Sequence, residues 1–143
     1  MRILGFMTGT SLDGIDMAIL ETDGEVLTAF GPAGEAPLPD PLRDLLRRAI
    51  AVALEHPRGA AEPSIFVQAA QAIAEAHLAA GAAFLKSEGL TWADLDLIGM
   101  HGQTVLHERP AAGGNGRTLQ LGDGHWLARA SGVPVAFDFR SAD

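Results

Sequence analysis

The apolar positions of this chain fall first into short strand-like blocks, then at helical spacing, then into shorter blocks of both kinds. Met1 to Thr8 predicts a short buried strand, and Ile15 to Glu21 predicts its antiparallel neighbour across a polar tip. The Asp23-Gly24 pair is a strong hairpin signal, so Glu25 to Phe30 reads as a third strand. Gly31 to Pro39 reads as a Gly/Pro loop. At Asp40-Pro41 the pattern turns helical, with a cap and a proline at the first position. Leu42, Leu45, Leu46, Ala49, Ile50 and Ala53 then share one face. His56 to Pro63 breaks that helix, and a longer one follows from about Ser64 to Glu88. Its stripe is Ile65, Ala69, Ile73, Ala76, Ala80 and Phe84, and Gly89 ends it.

The rest is punctuated more finely. Thr91 with Asp94 three residues on predicts one capped turn. Leu97 to Met100 reads as a short strand ending at His101, and Ala111 to Gly116 as a loop. Thr118 to Leu121 reads as a strand, Trp126 to Ser131 as a helix and Val133 to Phe137 as a final strand. Antiparallel hairpins followed by helix–strand units predict an α/β fold, a mixed sheet flanked by helices.

Composition narrows the classes. The 143 residues are 48% hydrophobic, enough for one domain with a real core. Eighteen acids against ten bases give a formal charge of −8, which argues against nonspecific nucleic-acid binding. There is no cysteine, so disulfides, thiolate metal sites and cysteine nucleophiles are excluded. No apolar run approaches the roughly 20 residues that span a bilayer, and the N-terminus lacks the pattern of a signal peptide. A cytoplasmic location with no membrane partner is the expectation. Lys86 is the only lysine, so any phosphate must be held by backbone N–H groups, hydroxyls or a metal.

Three polar clusters interrupt the apolar pattern. The first is the tip between the opening strands, TGTSLDGID. Gly9 and Gly14 let backbone amides approach an anion, Thr8, Thr10 and Ser11 add hydroxyls, and Asp13 and Asp16 can hold Mg²⁺ directly or through water. The lysine-bearing P-loop pattern is absent. A plain polar turn formed by Asp13 is the ordinary alternative; the length and hydroxyl density of the tip favour a ligand. The second is GMHGQTVLH, where His101 and Gln103 flank Gly102 at the end of a strand. Gln103 offers both a donor and an acceptor to a sugar hydroxyl or acetamido group. His101 and His107 lack the spacing of a helical metal pair, while His77 and His125 read as packing or surface residues. The third is FDFRSAD: alternation about Phe139 predicts Asp138 and Arg140 on one face. They can fix a polyol or sugar acid, or simply close the strand as an internal ion pair.

The segments GFMTGTSLDGID, GMHGQTVLH, TLQLGDGHWLARASGVPV and FDFRSAD resemble, in order and spacing, the anhydro-N-acetylmuramic acid kinases. Thr8 stands where serine is more usual, and GDGHWLA departs from the usual Gly-Asn/Asp-Pro start. The resemblance implies the ribonuclease H-like, actin-like ATPase (sugar kinase) fold. It implies an enzyme of cell-wall recycling that uses ATP and Mg²⁺ to open a 1,6-anhydro sugar and phosphorylate its O6. By it, Gly9, Thr10, Ser11, Leu12, Asp13, Gly14, Ile15 and Asp16 form the phosphate loop, with Asp13 and Asp16 toward the metal. His101, Gln103, Asp138 and Arg140 lie toward the sugar. Its members are longer, so residues 1–143 read as the N-terminal domain, with the general base beyond Asp143 and turnover by this part alone not expected. A homodimer of the longer protein is the oligomer considered. The rivals are a non-catalytic sugar- or nucleotide-binding module of the same fold, a metal-dependent nuclease using Asp13, Asp16 and Asp138, and a purely structural domain.

Overall fold

The fold is given by a computed structural model that describes residues 1–109 and 116–142. The predicted loop at 111–116 therefore lies almost wholly outside the described residues. Strands β1 (Arg2–Thr8), β2 (Gly14–Thr22) and β3 (Leu27–Pro37) form an antiparallel meander. Helices α1 (Asp40–Glu55) and α2 (Ser64–Ser87) follow, then a 3₁₀ turn at Trp92–Asp94. Strands β4 (Leu97–Glu108) and β5 (Arg117–Leu121), helix α3 (Gly124–Ser131), the short β6 (Val135–Ala136) and a last 3₁₀ turn (Phe139–Ala142) complete the chain. The sheet order is β3-β2-β1-β4-β5, and β6 pairs with the start of β4. Strands β1 and β4 are parallel neighbours at its centre. This is the mixed α/β sheet predicted from the sequence, and its arrangement is consistent with the actin-like ATPase type of domain.

Strand alternation decides which face is buried. Leu4 and Phe6 of β1 and Ile15, Met17 and Ile19 of β2 point to one side. There they join Leu46 of α1, Ile73 and Phe84 of α2 and Leu127 of α3 in one core. The other side carries Gly5, Met7, Asp16, Ala18 and Leu20 and lines a shallow, mainly apolar hollow of about 630 Å³. Among the described residues no helix is long and apolar enough to cross a membrane.

Several boundaries differ from the expected ones for physical reasons. Strand β3 runs to Pro37, through the stretch predicted as loop, because it is an edge strand where proline's missing N–H costs no ladder bond. Its glycines serve close packing: a Cβ on Gly31 would lie 3.0 Å from Ile19, and one on Gly34 3.0 Å from Phe84. Pro39, not Asp40, caps α1. The buried stripe of α2 is wider than predicted, adding Phe66, Ala74, His77 and Gly81, while Ile65 and Ala76 are only partly buried. Strand β6 is two residues long, where five were predicted.

The largest difference is β4, which continues eight residues past Met100. It does so through a bulge: Phe6 pairs with Met100, but Thr8 pairs with Gln103. Gly102 makes this geometry available, with φ +72° and a position where a Cβ would sit 2.5 Å from the Leu121 carbonyl oxygen. Bulges of this kind re-aim side chains beside functional sites.

Candidate functional site

The loop between β1 and β2 leaves the sheet at the C-terminal end of β1, beside the β4 bulge, where open α/β sheets bind ligands. It is a tight turn closed by Leu12 N–H donating to the Gly9 carbonyl at 3.2 Å. Its left-handed residue is not a glycine: Leu12 adopts φ +58° with its side chain buried in the core. Gly14 serves packing, since a Cβ there would meet the Ala36 carbonyl oxygen at 2.9 Å. At Gly9 a Cβ would stand 3.2 Å from Ser11 Oγ, so the absence of a side chain keeps the turn open there. Ser11 Oγ donates to Asp13 Oδ1 at 2.7 Å, and Gly14 N–H donates to the same oxygen at 3.0 Å. The Ser11 hydroxyl, then backbone N–H groups, hold the exposed Asp13 carboxyl below its ordinary value.

Two side chains brace this loop from outside, and a third ties its base to β4. Thr8 Oγ1, buried, donates to the Gly102 carbonyl at 3.1 Å. Gln103 Nε2 donates to the Gly9 carbonyl at 3.2 Å. From α1, Arg43 Nε donates to the Leu12 carbonyl at 3.0 Å. Two expectations change here. The Thr8 hydroxyl is a brace, not a ligand donor. Gln103 is 0% exposed, so its amide lies beneath the loop and not at an open sugar-binding edge. Leu12 and Ile15 likewise bury their side chains in the core, leaving only backbone to face a ligand.

Asp16 diverges from Asp13. It sits on β2 opposite Glu35 and lines the apolar hollow on the open face of the sheet. Among the described residues no group of three or more His, Asp or Glu could hold a metal. Asp13, Asp16 and Asp138 are therefore not gathered as a two-metal nuclease would need.

A second feature adjoins the loop on the far side of Gly102. His101, Gly102, Gln120, Gly122, Phe137 and Asp138 line a cleft of about 230 Å³. Burial and then the nearby Arg140 charge lower the His101 pKa, so the ring is neutral at pH 7. Its Nδ1 is buried without a partner among the described residues. The structure thus brings His101 and Asp138 together, with Arg140 close enough to act on His101. It does so by another route than strand alternation. Beyond Ala136 the chain leaves the sheet, Asp138 takes φ +60°, and Phe139 begins a 3₁₀ turn. His107 and His125 are exposed. His77 is a packing residue, its ring stacked on Phe6 with centroids 4.8 Å apart.

The sequence reading missed Arg43, Gln120 and Phe137. Asp40 and Arg43 are three apart at a helix start, which reads as an ordinary surface ion pair. Only the tertiary fold places the guanidinium under the loop.

The family model described as anhydro-N-acetylmuramic acid kinase matches residues 1–143, the whole chain. The chain belongs to this family. Among curated relatives bearing the name anhydro-N-acetylmuramic acid kinase, that of Phenylobacterium zucineum is 62% identical over 143 residues, covering 100% of this chain and 39% of the relative. That of Caulobacter vibrioides is 59% identical, covering 100% and 38%. That of Nitrobacter winogradskyi is 48% identical with the same coverage of 100% and 38%. The chain thus spans well under half the length of the anhydro-N-acetylmuramic acid kinases it matches.

Proposed function

We propose that this chain is the N-terminal domain of an ATP-dependent kinase of cell-wall recycling in the cytoplasm. The whole enzyme opens 1,6-anhydro-N-acetylmuramic acid with water and phosphorylates O6, giving N-acetylmuramic acid 6-phosphate. The observation that carries this reading is the braced β1–β2 loop in a chain matched end to end by the family model.

In this reading Gly9 to Asp13 receive the terminal phosphates of ATP. The Gly9 cradle admits the phosphate backbone-close, and the Thr10 and Ser11 amides and hydroxyls supply donors. Bound ATP supplies the phosphoryl group, and Mg²⁺ neutralises charge on it. Asp13 is the carboxylate suited to that ion: Oδ1 is engaged by Ser11 and Gly14, which leaves Oδ2 for the ion or one of its waters. Mg²⁺ commonly takes one or two carboxylates and completes its shell with phosphate and water, so a three-carboxylate cage is not required. Asp16, which lines the hollow on the open face of the sheet, acts through water. Asp13 is a poor general base because its pKa is depressed. The family resemblance, not the pKa of Asp13, is what assigns the base to the part of the enzyme beyond Asp143. The His101–Asp138 cleft, with Arg140, faces the sugar; neutral His101 offers a hydrogen bond without adding charge.

The test is steady-state kinetics of the full-length enzyme carrying this segment. Gly9→Val is expected to raise KM for ATP at least tenfold while leaving KM for the sugar within twofold. His101→Ala is expected to do the reverse. An unchanged KM for ATP in Gly9→Val sinks the phosphate-loop assignment, and turnover by residues 1–143 alone sinks the placement of the base.

A further inference from the structure

We infer that Arg43 is the positioning residue of the phosphate loop, setting the peptide that presents Asp13 to the nucleotide. This rests on the reading of Gly9 to Asp13 as that loop.

All three guanidinium nitrogens are committed, and two of them go to backbone. Nε donates to the Leu12 carbonyl at 3.0 Å, Nη2 to the Leu38 carbonyl at 3.1 Å and Nη1 to Asp40 Oδ1 at 2.7 Å. Leu12 lies in the loop, and Leu38 lies between the end of β3 and the start of α1. Leu38 N–H in turn donates to the Asp13 carbonyl at 3.4 Å. One planar side chain therefore clamps two separate backbone segments. The fixed fork of arginine does this, and a single ammonium cannot reproduce it.

The consequence for Asp13 follows from peptide geometry. In a trans peptide the C=O and the next N–H point in opposite directions. Fixing the Leu12 carbonyl against Arg43 fixes the Asp13 N–H pointing the opposite way within the same peptide plane. The same plane follows a residue at φ +58°, a conformation uncommon for a non-glycine side chain, so it relaxes readily if its carbonyl is released. The closing bonds depend on it too: Leu12 N–H to Gly9, and Gly14 N–H with Ser11 Oγ to Asp13 Oδ1. Arg43 also places a positive charge behind a loop that carries no lysine. Asp40 on Nη1 moderates that charge, so the geometric role is the main one.

The experiment uses the full-length enzyme with Arg43→Ala, Arg43→Lys and, alongside, Gly9→Val. Arg43→Ala is expected to raise KM for ATP about 10- to 100-fold, the range for losing a charge-assisted hydrogen bond. KM for the sugar stays within twofold, and millimolar methylguanidinium restores part of the ATP affinity. Arg43→Lys keeps the charge but not the fork, and its KM for ATP stays raised at least fivefold. A merely structural arginine would lower the amount of folded enzyme without this split. A KM for ATP within twofold of the parent in Arg43→Ala, or an equal rise for both substrates, overturns the inference. If Gly9→Val is silent as well, the loop assignment itself has failed. If Gly9→Val raises KM for ATP and Arg43→Ala does not, only the role of Arg43 has failed. Should Arg43→Ala not fold, hydrogen exchange on Arg43→Lys decides: faster exchange of the Leu12 and Gly14 amides, with β1 and α1 unchanged, supports the inference. Unchanged protection of those two amides refutes it.

Discussion

Two hairpin tips in this sheet use the same local chemistry to different ends. At the β2–β3 tip, Asp23 Oδ1 accepts from the amides of Glu25 and Val26 at 2.9 and 2.8 Å, and Thr22 Oγ1 donates to the Val26 carbonyl. At the β1–β2 tip, Asp13 Oδ1 accepts from Gly14 N–H and Ser11 Oγ. Both carboxyls are fully exposed, and both are held below their ordinary pKa by hydrogen bonds within the turn. The difference lies outside the turns. Bonds from Gln103 and Arg43 enter the first tip, Thr8 at its base is tied to Gly102, and Leu12 anchors it in the core. The second tip is closed by its own residues and tied only at its base, where Thr22 exchanges two backbone bonds with Met1. Local turn chemistry makes a turn; bonds from β4 and α1 hold the first tip in one geometry, which is what the phosphate-loop reading requires of it.

The strongest way to break the comparison is at the glycine that supports each tip. Gly102→Ala must adopt φ +72° and place a methyl 2.5 Å from the Leu121 carbonyl oxygen, so the bulge has to shift. The expected loss is about 3 kcal/mol or more, read by urea unfolding, together with loss of ATP saturation in the full-length enzyme. Gly24→Ala also carries a positive φ, +108°, but its Cβ meets nothing nearer than 3.8 Å. It should cost about 1–2 kcal/mol and leave ATP kinetics alone. Equal costs at the two sites would mean that the bulge is not what holds the loop.

That contrast also marks what the residue pattern could reveal. Hairpin signals such as Asp23-Gly24, the helical face from Leu42 to Ala53 and the Thr91–Asp94 box are local, and the structure has all of them. Glycines and prolines in β3 looked like a loop because their reason is an edge position and a close approach to Ile19 and Phe84, both tertiary facts. The β1–β2 tip was legible as a candidate through its glycines and hydroxyls. The destination of Gln103 was not, because a glutamine one residue past a left-handed glycine aims wherever the bulge sends it. Asp138 reached the His101 cleft through a left-handed backbone, and Arg140 came near His101 through the 3₁₀ turn after it; alternation foresees neither.

A second test concerns acid. His77 is buried against Phe6, and burial, then His101, lowers its pKa to about 4. The unfolded chain binds this proton near pH 6.5 and the folded chain does not until about 4, so stability is lost as pH falls through that window. The slope sums to roughly 3 kcal/mol at most. His77→Phe replaces by carbon two buried ring nitrogens that have no partner among the described residues, and should flatten the limb between pH 6.5 and 4 at little cost at pH 7. An unchanged limb in that variant would place the acid sensitivity elsewhere.

Gln103→Leu asks for the smaller share of the bracing carried by one amide. It withdraws the bond to Gly9, and with it the buried Oε1 that has no partner among the described residues. Because an unsatisfied acceptor leaves together with the donor, the net loss should be about 1 kcal/mol, less than for Gly102→Ala. KM for ATP should rise more than stability falls. A variant that unfolds without changing KM for ATP would reduce Gln103 to a core residue.

The smallest expected effect on stability is the sharpest on function, at the two aspartates themselves. Each has a folded pKa below its unfolded one, so each stabilises above the ordinary carboxylate value and loses that contribution as pH falls through the folded pKa. Both groups are fully exposed and solvent-screened, so Asp13→Asn and Asp23→Asn should look alike in urea at pH 7 and shift the acid limb in the same direction. Asn still accepts the turn hydrogen bonds, so neither tip unravels. The variants should part only in the full-length enzyme: Asp13→Asn raises the Mg²⁺ concentration needed for half-maximal rate, and Asp23→Asn does not. If the Mg²⁺ dependence of Asp13→Asn matched that of Asp23→Asn, the two tips would be the same kind of turn, and the braces around the first would serve the fold alone.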